Sequence, residues 1–139
     1  MAGKHSLTII KPHAVRDNNT GAILSMISKA GFRIAAMKMK RLTRRQTELF
    51  YLEHKGKVFY DPLVEMMSSG PIVVAILEKE NAVAELRRLI GNTDPAAADQ
   101  GTVRNLFGIS MRENAVHASD CDENALRERA FFFAETEIF

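Results

Sequence analysis

The chain has 139 residues, of which 46% are hydrophobic and 26% charged, and its formal net charge is +2. These values are typical of one globular domain, predicted over residues 1–139, and the sequence contains no low-complexity tract. A membrane-spanning helix is excluded, since no apolar run approaches the roughly twenty residues that a bilayer needs. The small net charge and the dispersed basic residues argue against a dedicated nucleic-acid surface.

The first third of the chain predicts two strands around one helix. The β-branched run at 6–11 is typical of a strand, which Pro12 ends because proline has no N–H for a sheet ladder. Apolar residues then recur at helical spacing up to Gly31. Residues 32–42 predict a second strand, in which a change of phase at Met37 indicates a bulge or burial on both faces.

The middle third predicts three helices and one buried strand. A capping-box pattern predicts a helix over about 43–54, and Asp61-Pro62 begins another directly after it. The continuous apolar run at 72–77 predicts a central strand, and Asn81 would then cap a third helix.

The last third contains a long irregular segment, a short strand and a final helix. Periodicity fails between 92 and 114, apart from a possible helical turn near 102–107, and loops of this length are usually functional. Residues 115–118 can form only a short strand. The buried face of the final helix is predicted to contain Leu126, Ala130 and Phe133.

The order of these elements predicts the fold class. Its core is βαββαβ, with extra helices and a long loop before the last strand. This order is typical of an α+β, ferredoxin-like fold, an antiparallel sheet covered by helices. Because unrelated activities share this fold, function has to be argued from individual residues.

His117 is the first candidate for chemistry, since it ends a short apolar run and shortly precedes Ser119 and Asp120. Neutral imidazole, with an ordinary pKa of about 6.5, is a competent nucleophile near neutral pH. A phosphorylated imidazole holds its phosphoryl group in a labile P–N bond and can pass it on. A lone histidine beside apolar residues is more often structural, so its neighbours have to decide between the two interpretations.

No glycine-rich phosphate-binding motif is present, so side-chain cations would have to bind any phosphate. The candidates at the ends of elements are Lys11, Arg87 and Arg104. For each one alone, an ordinary solvated cation is the simpler interpretation.

The single cysteine, Cys121, excludes an intramolecular disulfide and a cysteine-based zinc cluster. A metal site around it is disfavoured, because adjacent residues cannot easily converge on one ion. Such a site would use His117, Asp120, Cys121 and Asp122. The short apolar stretch before Lys11 is too small for a signal peptide, so a cytoplasmic location is expected.

Six segments, in order along nearly the whole chain, match one family pattern. They are Ile10–Val15, Phe50–Tyr60, Ser69–Val73, Arg87–Ala96, Gly101–Arg104 and Asn114–Asp120. The last corresponds to N-x-x-H-G-S-D, and the first to I-K-P-[DN]-[AG]-V. On these motifs the chain resembles the nucleoside diphosphate kinases.

The resemblance implies a phosphotransferase that works in ping-pong fashion. His117 would take the γ-phosphate of ATP or another nucleoside triphosphate and pass it to a nucleoside diphosphate. Glu128 would hydrogen-bond the far nitrogen of the ring, and Ser119 would support the site. The nucleotide-binding positions that it implies are Lys11, Tyr51, Arg87, Thr93, Arg104 and Asn114.

Further expectations concern the base, the metal and the assembly. Phe59 would stack on the base with Met111 on its other face, which implies low base specificity because every base has a π-face. Mg²⁺ would bridge the phosphates without a protein cage. A homo-oligomer, either a tetramer or a hexamer, is also implied.

Two residues depart from the family pattern. Ala118 replaces the usual glycine after the histidine, so its backbone is expected to avoid positive φ and activity is expected to survive. His13 replaces Asp or Asn, and is interpreted as a surface residue rather than a catalytic one.

The main alternative is a non-catalytic ferredoxin-like module that binds nucleotides or RNA. An RNA-recognition sheet would carry paired aromatic residues on its central strands, and the run at 72–77 has none.

Overall fold

The computed structural model describes residues 3–139 and has a four-stranded antiparallel sheet at its centre, in the order β2-β3-β1-β4. The strands are β1 (His5–Ile10), β2 (Arg33–Lys40), β3 (Ile72–Glu78) and β4 (Val116–Ala118). The order of elements and the pairing confirm the predicted α+β, ferredoxin-like fold.

Seven α-helices and three short 3-10 helices are described between residues 3 and 139. The α-helices are α1 (Pro12–Arg16), α2 (Thr20–Lys29), α3 (Arg44–Phe50), α4 (Tyr60–Met67), α5 (Ala82–Ile90), α6 (Val103–Phe107) and α7 (Asp122–Phe132). The 3-10 helices are Leu52–His54, Pro95–Ala97 and Glu135–Glu137. None of the helices described has both the length and the apolar character needed to cross a membrane.

The central strands β1 and β3 are buried on both faces, because the extra helices cover the side that a minimal ferredoxin-like unit leaves open. Successive side chains of a strand point to opposite faces. In β3, Val74 and Ile76 pack in one core with residues of α3, α4 and α7, whereas Val73 and Ala75 pack in a second core with residues of α2 and α5. This double burial explains the unbroken apolar run predicted as a central strand.

Several boundaries in the first two thirds differ from the prediction. Pro12 starts the short helix α1 at once, because its fixed φ suits a first helical turn. The helix predicted over 43–54 ends at Phe50 and continues only as a 3-10 turn. The bulge of β2 lies between Ile34 and Ala36, earlier than predicted. Asn81 precedes α5 but makes no capping bond with its side chain.

The predicted buried face of α7 was wrong. Leu126 is 62% exposed and Ala130 is also exposed, although Phe133 is buried just after the helix. The residues of α7 that face the interior are Ala125, Glu128 and Phe132. The helix turns a carboxylate rather than a leucine inward, and that carboxylate belongs to the site described next.

Candidate active site

His117 is the central residue of β4 and pairs with Ile9 of β1. Its Nε2 lies 3.0 Å from Oε1 of Glu128, which is buried on α7. A carboxylate can only accept, so Nε2 carries the ring proton and Nδ1 keeps its lone pair. The neighbouring helix therefore selects the tautomer in which Nδ1 is the nucleophilic atom.

Ser119 fixes the same carboxylate from a second direction. Its hydroxyl donates to Glu128 Oε1 over 2.7 Å, and its Oγ accepts the N–H of Leu7 over 3.2 Å. The Ser119 N–H in turn donates to the carbonyl of Leu7 over 3.1 Å. Strand β1 thus anchors the serine, the serine anchors the carboxylate, and the carboxylate orients the imidazole.

The chain reaches His117 through a tight turn with a positive φ. Ala115 has φ 75°, and the N–H of Val116 donates to the carbonyl of Asn114 over 3.0 Å. An i to i+2 bond around a residue with positive φ is a rare and strained γ-turn. The Ala115 carbonyl accepts the N–H of Lys11 over 2.9 Å, so the turn is tied to the end of β1.

His13 lies inside the protein, which corrects the prediction that it is a surface residue. It is buried on α1, and its Nε2 accepts the N–H of Ala115 over 2.9 Å. Burial lowers its pKa, which favours the neutral ring that this hydrogen bond requires. Sequence reasoning missed the contact because 102 residues separate the two partners.

A cleft of about 600 Å³ opens in front of His117. It brings together eight of the residues predicted from the sequence, namely Lys11, Tyr51, Phe59, Thr93, Arg104, Met111, Asn114 and His117. It also contains three lining residues not singled out as site residues, His54, Leu63 and Arg112. His54 belongs to a matched segment and could have been noticed there, whereas nothing in the sequence marks Leu63 or Arg112.

Two buried cations lie at the inner end of this cleft. The Lys11 ammonium donates to the carbonyl of Arg112 over 3.3 Å, and burial, together with the charge of Arg104, lowers the pKa of Lys11 to about 7. Burial and the nearby Arg87 lower the pKa of Arg104 to about 10. Arg104 donates to the carbonyls of Gly91 and Val116, so its guanidinium is held in place. An anion would relieve this concentration of positive charge.

Three polar atoms of residues that line the cleft are buried without a hydrogen-bond partner among the described residues, namely the Tyr51 hydroxyl, Oδ1 of Asn114 and Nε of Arg104. Burial also raises the pKa of Tyr51, so its hydroxyl stays protonated. The Asn114 amide nitrogen donates to the carbonyl of Thr93 over 3.0 Å. Unpartnered buried groups are costly, and their position suits a polar ligand.

The outer part of the cleft is apolar. Phe59 is 46% exposed and Met111 is 63% exposed, and both line the entrance. Arg87 is exposed and lies outside the cleft, in an adjoining depression that it shares with Thr93. Arg87 is therefore not among the residues that line the cleft, and it adjoins them only through Thr93.

Ala118 occupies β4 opposite Thr8, and positive φ is found elsewhere in this segment, at Ala115. The methyl group is thus accommodated in extended backbone, as expected for the residue that replaces glycine.

Residues 4–138 match the family model described as nucleoside diphosphate kinase. The chain belongs to the nucleoside diphosphate kinase family. Among relatives with that name, the protein of Chlorobaculum tepidum is 56% identical over 97% of this chain and 96% of its own length. The protein of Pasteurella multocida is 51% identical over the full length of both chains.

Solved structures of the family agree with the fold. The nucleoside diphosphate kinase of Aquifex aeolicus superposes with a TM-score of 0.96 at 40% identity, covering 98% of this chain and 99% of its own. The enzyme of Halobacterium salinarum, solved in complex with CDP, gives a TM-score of 0.94 at 30% identity and covers 98% and 91%.

Proposed function

We propose that this nucleoside diphosphate kinase carries the phosphoryl group on Nδ1 of His117. The observation that carries the proposal is the bond from Nε2 to Glu128, which leaves Nδ1 as the free nitrogen of a ring that lines the cleft. Nδ1 would attack the γ-phosphorus of a nucleoside triphosphate. The bond to the bridging oxygen breaks, and the diphosphate leaves with the electron pair.

The second half of the reaction reverses the first with another nucleotide. A terminal oxygen of an incoming nucleoside diphosphate attacks the phosphorus, the P–N bond breaks, and neutral imidazole is regenerated. Positive charge grows on the ring whenever the P–N bond forms. Glu128, which is hydrogen-bonded to Nε2, would stabilise that charge.

The cleft suggests how a nucleotide would lie. Lys11, Arg104 and the peripheral Arg87 would bind phosphates together with Thr93, and Asn114 with Lys11 would reach the sugar hydroxyl. The base would stack on Phe59, with Met111 on its other face, whereas Tyr51 lies against the ring of His117. Because these apolar contacts do not read base edges, base specificity would be low. The CDP complex of the halophilic relative supports nucleotide binding in this family.

Mg²⁺ fits this arrangement as part of the substrate. No carboxylate is found among the described residues that line the cleft, whereas Lys11 and Arg104 supply positive charge. A magnesium ion would therefore be held mainly by phosphate oxygens and water, and it would neutralise charge on the phosphates.

We also propose a homo-oligomer, either a tetramer or a hexamer. Strand β2 is an edge of the sheet, and two of its apolar side chains, Met37 and Met39, are 50% and 64% exposed. A cytoplasmic location and the extent of the domain, residues 1–139, stay predictions from the sequence.

Labelling with [γ-³²P]ATP tests the function. The wild type should incorporate label that is stable to alkali and labile to acid, and unlabelled ADP, CDP or GDP should discharge it at similar rates. His117→Ala should incorporate none. A matched histidine variant, His5→Gln at the start of β1, should label normally. Label retained by His117→Ala would contradict the proposal.

A further inference from the structure

The side chain of His13 is buried beneath the turn that leads to the nucleophile. Its Nε2 is 2.9 Å from the backbone nitrogen of Ala115, two residues before His117. Because a backbone N–H can only donate, Nε2 must be the unprotonated nitrogen. The ring proton of the neutral form then lies on Nδ1, which is buried and has no hydrogen-bond partner among the described residues.

Ala115 is a place where such an acceptor matters. Its φ of 75° is costly for any residue other than glycine and persists only where the surroundings enforce it. Lys11 fixes the carbonyl of Ala115 over 2.9 Å, and His13 fixes its N–H. Asn114 directly precedes Ala115 in the chain, and His117 follows it by two residues.

We propose that His13 is a positioning residue for phosphoryl transfer: by accepting the Ala115 N–H, it holds the γ-turn that places Asn114 and His117 on the same cleft. This inference rests on the proposed function and deepens it. His13 would act through the backbone of Ala115, without touching the substrate or the reacting nitrogen. It assigns a purpose to the buried histidine at this position.

Protonation of His13 would abolish this contact. A doubly protonated ring presents an N–H to the Ala115 N–H, and the acceptor is lost. Burial is the largest influence on the pKa of His13 and lowers it. Among the surrounding charges, Glu113 and Asp17 raise that pKa, whereas Lys11 and Arg16 lower it. The ring is therefore neutral at pH 7, and the turn loosens on the acid side of its titration.

Two variants distinguish the effect of losing the hydrogen-bond acceptor from the effect of losing the volume of the imidazole ring. His13→Gln keeps an acceptor that does not titrate at about the position of Nε2, and His13→Leu removes the acceptor. Phosphorylation of His117 at saturating ATP should be about 10- to 100-fold slower in His13→Leu, the range expected when a reacting group is misplaced by an ångström or less. His13→Gln should retain most of the wild-type rate, and its rate should fall less steeply than that of the wild type as the pH is lowered below 6.5, the side on which His13 titrates.

The outcomes are distinguishable from failure of the function itself. If the wild type forms no phosphohistidine, the proposed function fails. If the wild type labels and folded His13→Leu labels equally fast, or if both variants are equally slow and keep the wild-type pH dependence, only the role of His13 is overturned. Nitrogen NMR of the wild type gives a readout independent of activity and of variant folding: Nε2 of His13 should be unprotonated at pH 7, and a protonated Nε2 would refute the proposal.

Discussion

A single oxygen of Glu128 accepts hydrogen bonds from two donors, the imidazole of His117 and the hydroxyl of Ser119. Both of its neighbours are themselves fixed, because one belongs to β4 and the other is bonded to Leu7 of β1. The ring therefore cannot rotate to present its other nitrogen without breaking a buried ionic hydrogen bond. Such outer contacts commonly set both the tautomer and the basicity of a histidine.

Replacing Glu128 by glutamine tests the charge of this contact with little change in shape. Glu128→Gln should phosphorylate His117 about 10- to 100-fold more slowly, because a neutral amide stabilises the developing imidazolium less than a carboxylate does. Rapid-quench measurement of acid-labile phosphoenzyme gives the rate. The control is Glu123→Gln, an exposed carboxylate in the first turn of the same helix, which should react as the wild type. An unchanged rate in Glu128→Gln would contradict the role.

Lys11 should take up a proton when a nucleotide binds. Its pKa of about 7 leaves it mostly neutral at pH 8, and adjacent phosphates favour the charged ammonium, so binding raises that pKa. Calorimetry of ADP binding at pH 8, repeated in buffers with different ionisation enthalpies, should show net uptake that fades toward pH 6, where Lys11 is already charged. Lys11→Met should lose this uptake. Absence of uptake in the wild type would show that Lys11 is charged before binding.

Sequence alone could predict the chemistry of individual residues but not how deeply their side chains are buried. His117 was predicted from its own chemistry and from a family motif, and Glu128 only from the family resemblance. Eight predicted residues do line one cleft. The burial of His13 could not be predicted, because it depends on a backbone N–H distant in sequence and on a helix of only five residues.

At the scale of elements, the end of α5 and the start of α6 contact each other at Gly91. This glycine has φ +89°, and a Cβ added to it would lie 2.5 Å from Oγ1 of Thr102, the residue that caps α6. Its carbonyl also accepts from Arg104 over 3.1 Å. One residue therefore sets both the exit from α5 and the position of a buried guanidinium.

Gly91→Ala should destabilise the protein. It should also slow the phosphorylation of His117, because the carbonyl of Gly91 holds the guanidinium of Arg104. Gly101 is a matched control, because it has the same φ of +89° but no atom within 4 Å of an added Cβ. Gly101→Ala should cost about 1 kcal/mol from backbone strain alone, and Gly91→Ala about 1–3 kcal/mol more from the clash with Thr102. Urea unfolding measures both. Equal losses would mean that Thr102 can move aside freely.

Hydrophobic periodicity predicted the strands well and α7 poorly, for a physical reason. A strand buried on both faces has an unbroken apolar run, as β3 does. The inner face of α7 carries the buried carboxylate of Glu128, so the apolar pattern is out of phase with burial and Leu126 faces outward. Functional burial of a charge is not visible in a pattern that counts apolar residues.

At the scale of the whole molecule, β2 forms the edge of the sheet opposite β4. The C-terminal segment contacts this edge at one point, where the N–H of Phe139 donates to the carbonyl of Ala35 over 2.8 Å. Unpaired N–H and C=O groups on such an edge favour pairing with another chain. The exposed Met37 and Met39 lie on this strand. The surface available for association is thus on the side of the sheet opposite β4 and its nucleophile.

Light scattering should give a mass of four or six subunits for the wild type. Met39→Lys should reduce that mass, since a charge at the exposed edge would have to be buried on association. Leu126→Lys, which places the same charge at an exposed apolar residue of α7, is the control and should leave the mass unchanged. A monomeric wild type would refute the assembly.

Because a single cleft lies in front of His117, the concentrations of nucleotides alone would regulate the turnover of the enzyme. The phosphoryl donor and the phosphoryl acceptor would occupy the same cleft in turn. A nucleoside diphosphate that binds before His117 is phosphorylated therefore forms a dead-end complex. Excess nucleoside diphosphate should therefore inhibit turnover competitively with the triphosphate donor. The fraction of enzyme that is phosphorylated on His117 at rest should follow the cellular ratio of nucleoside triphosphates to diphosphates. The protein would thereby report energy status without any separate effector site.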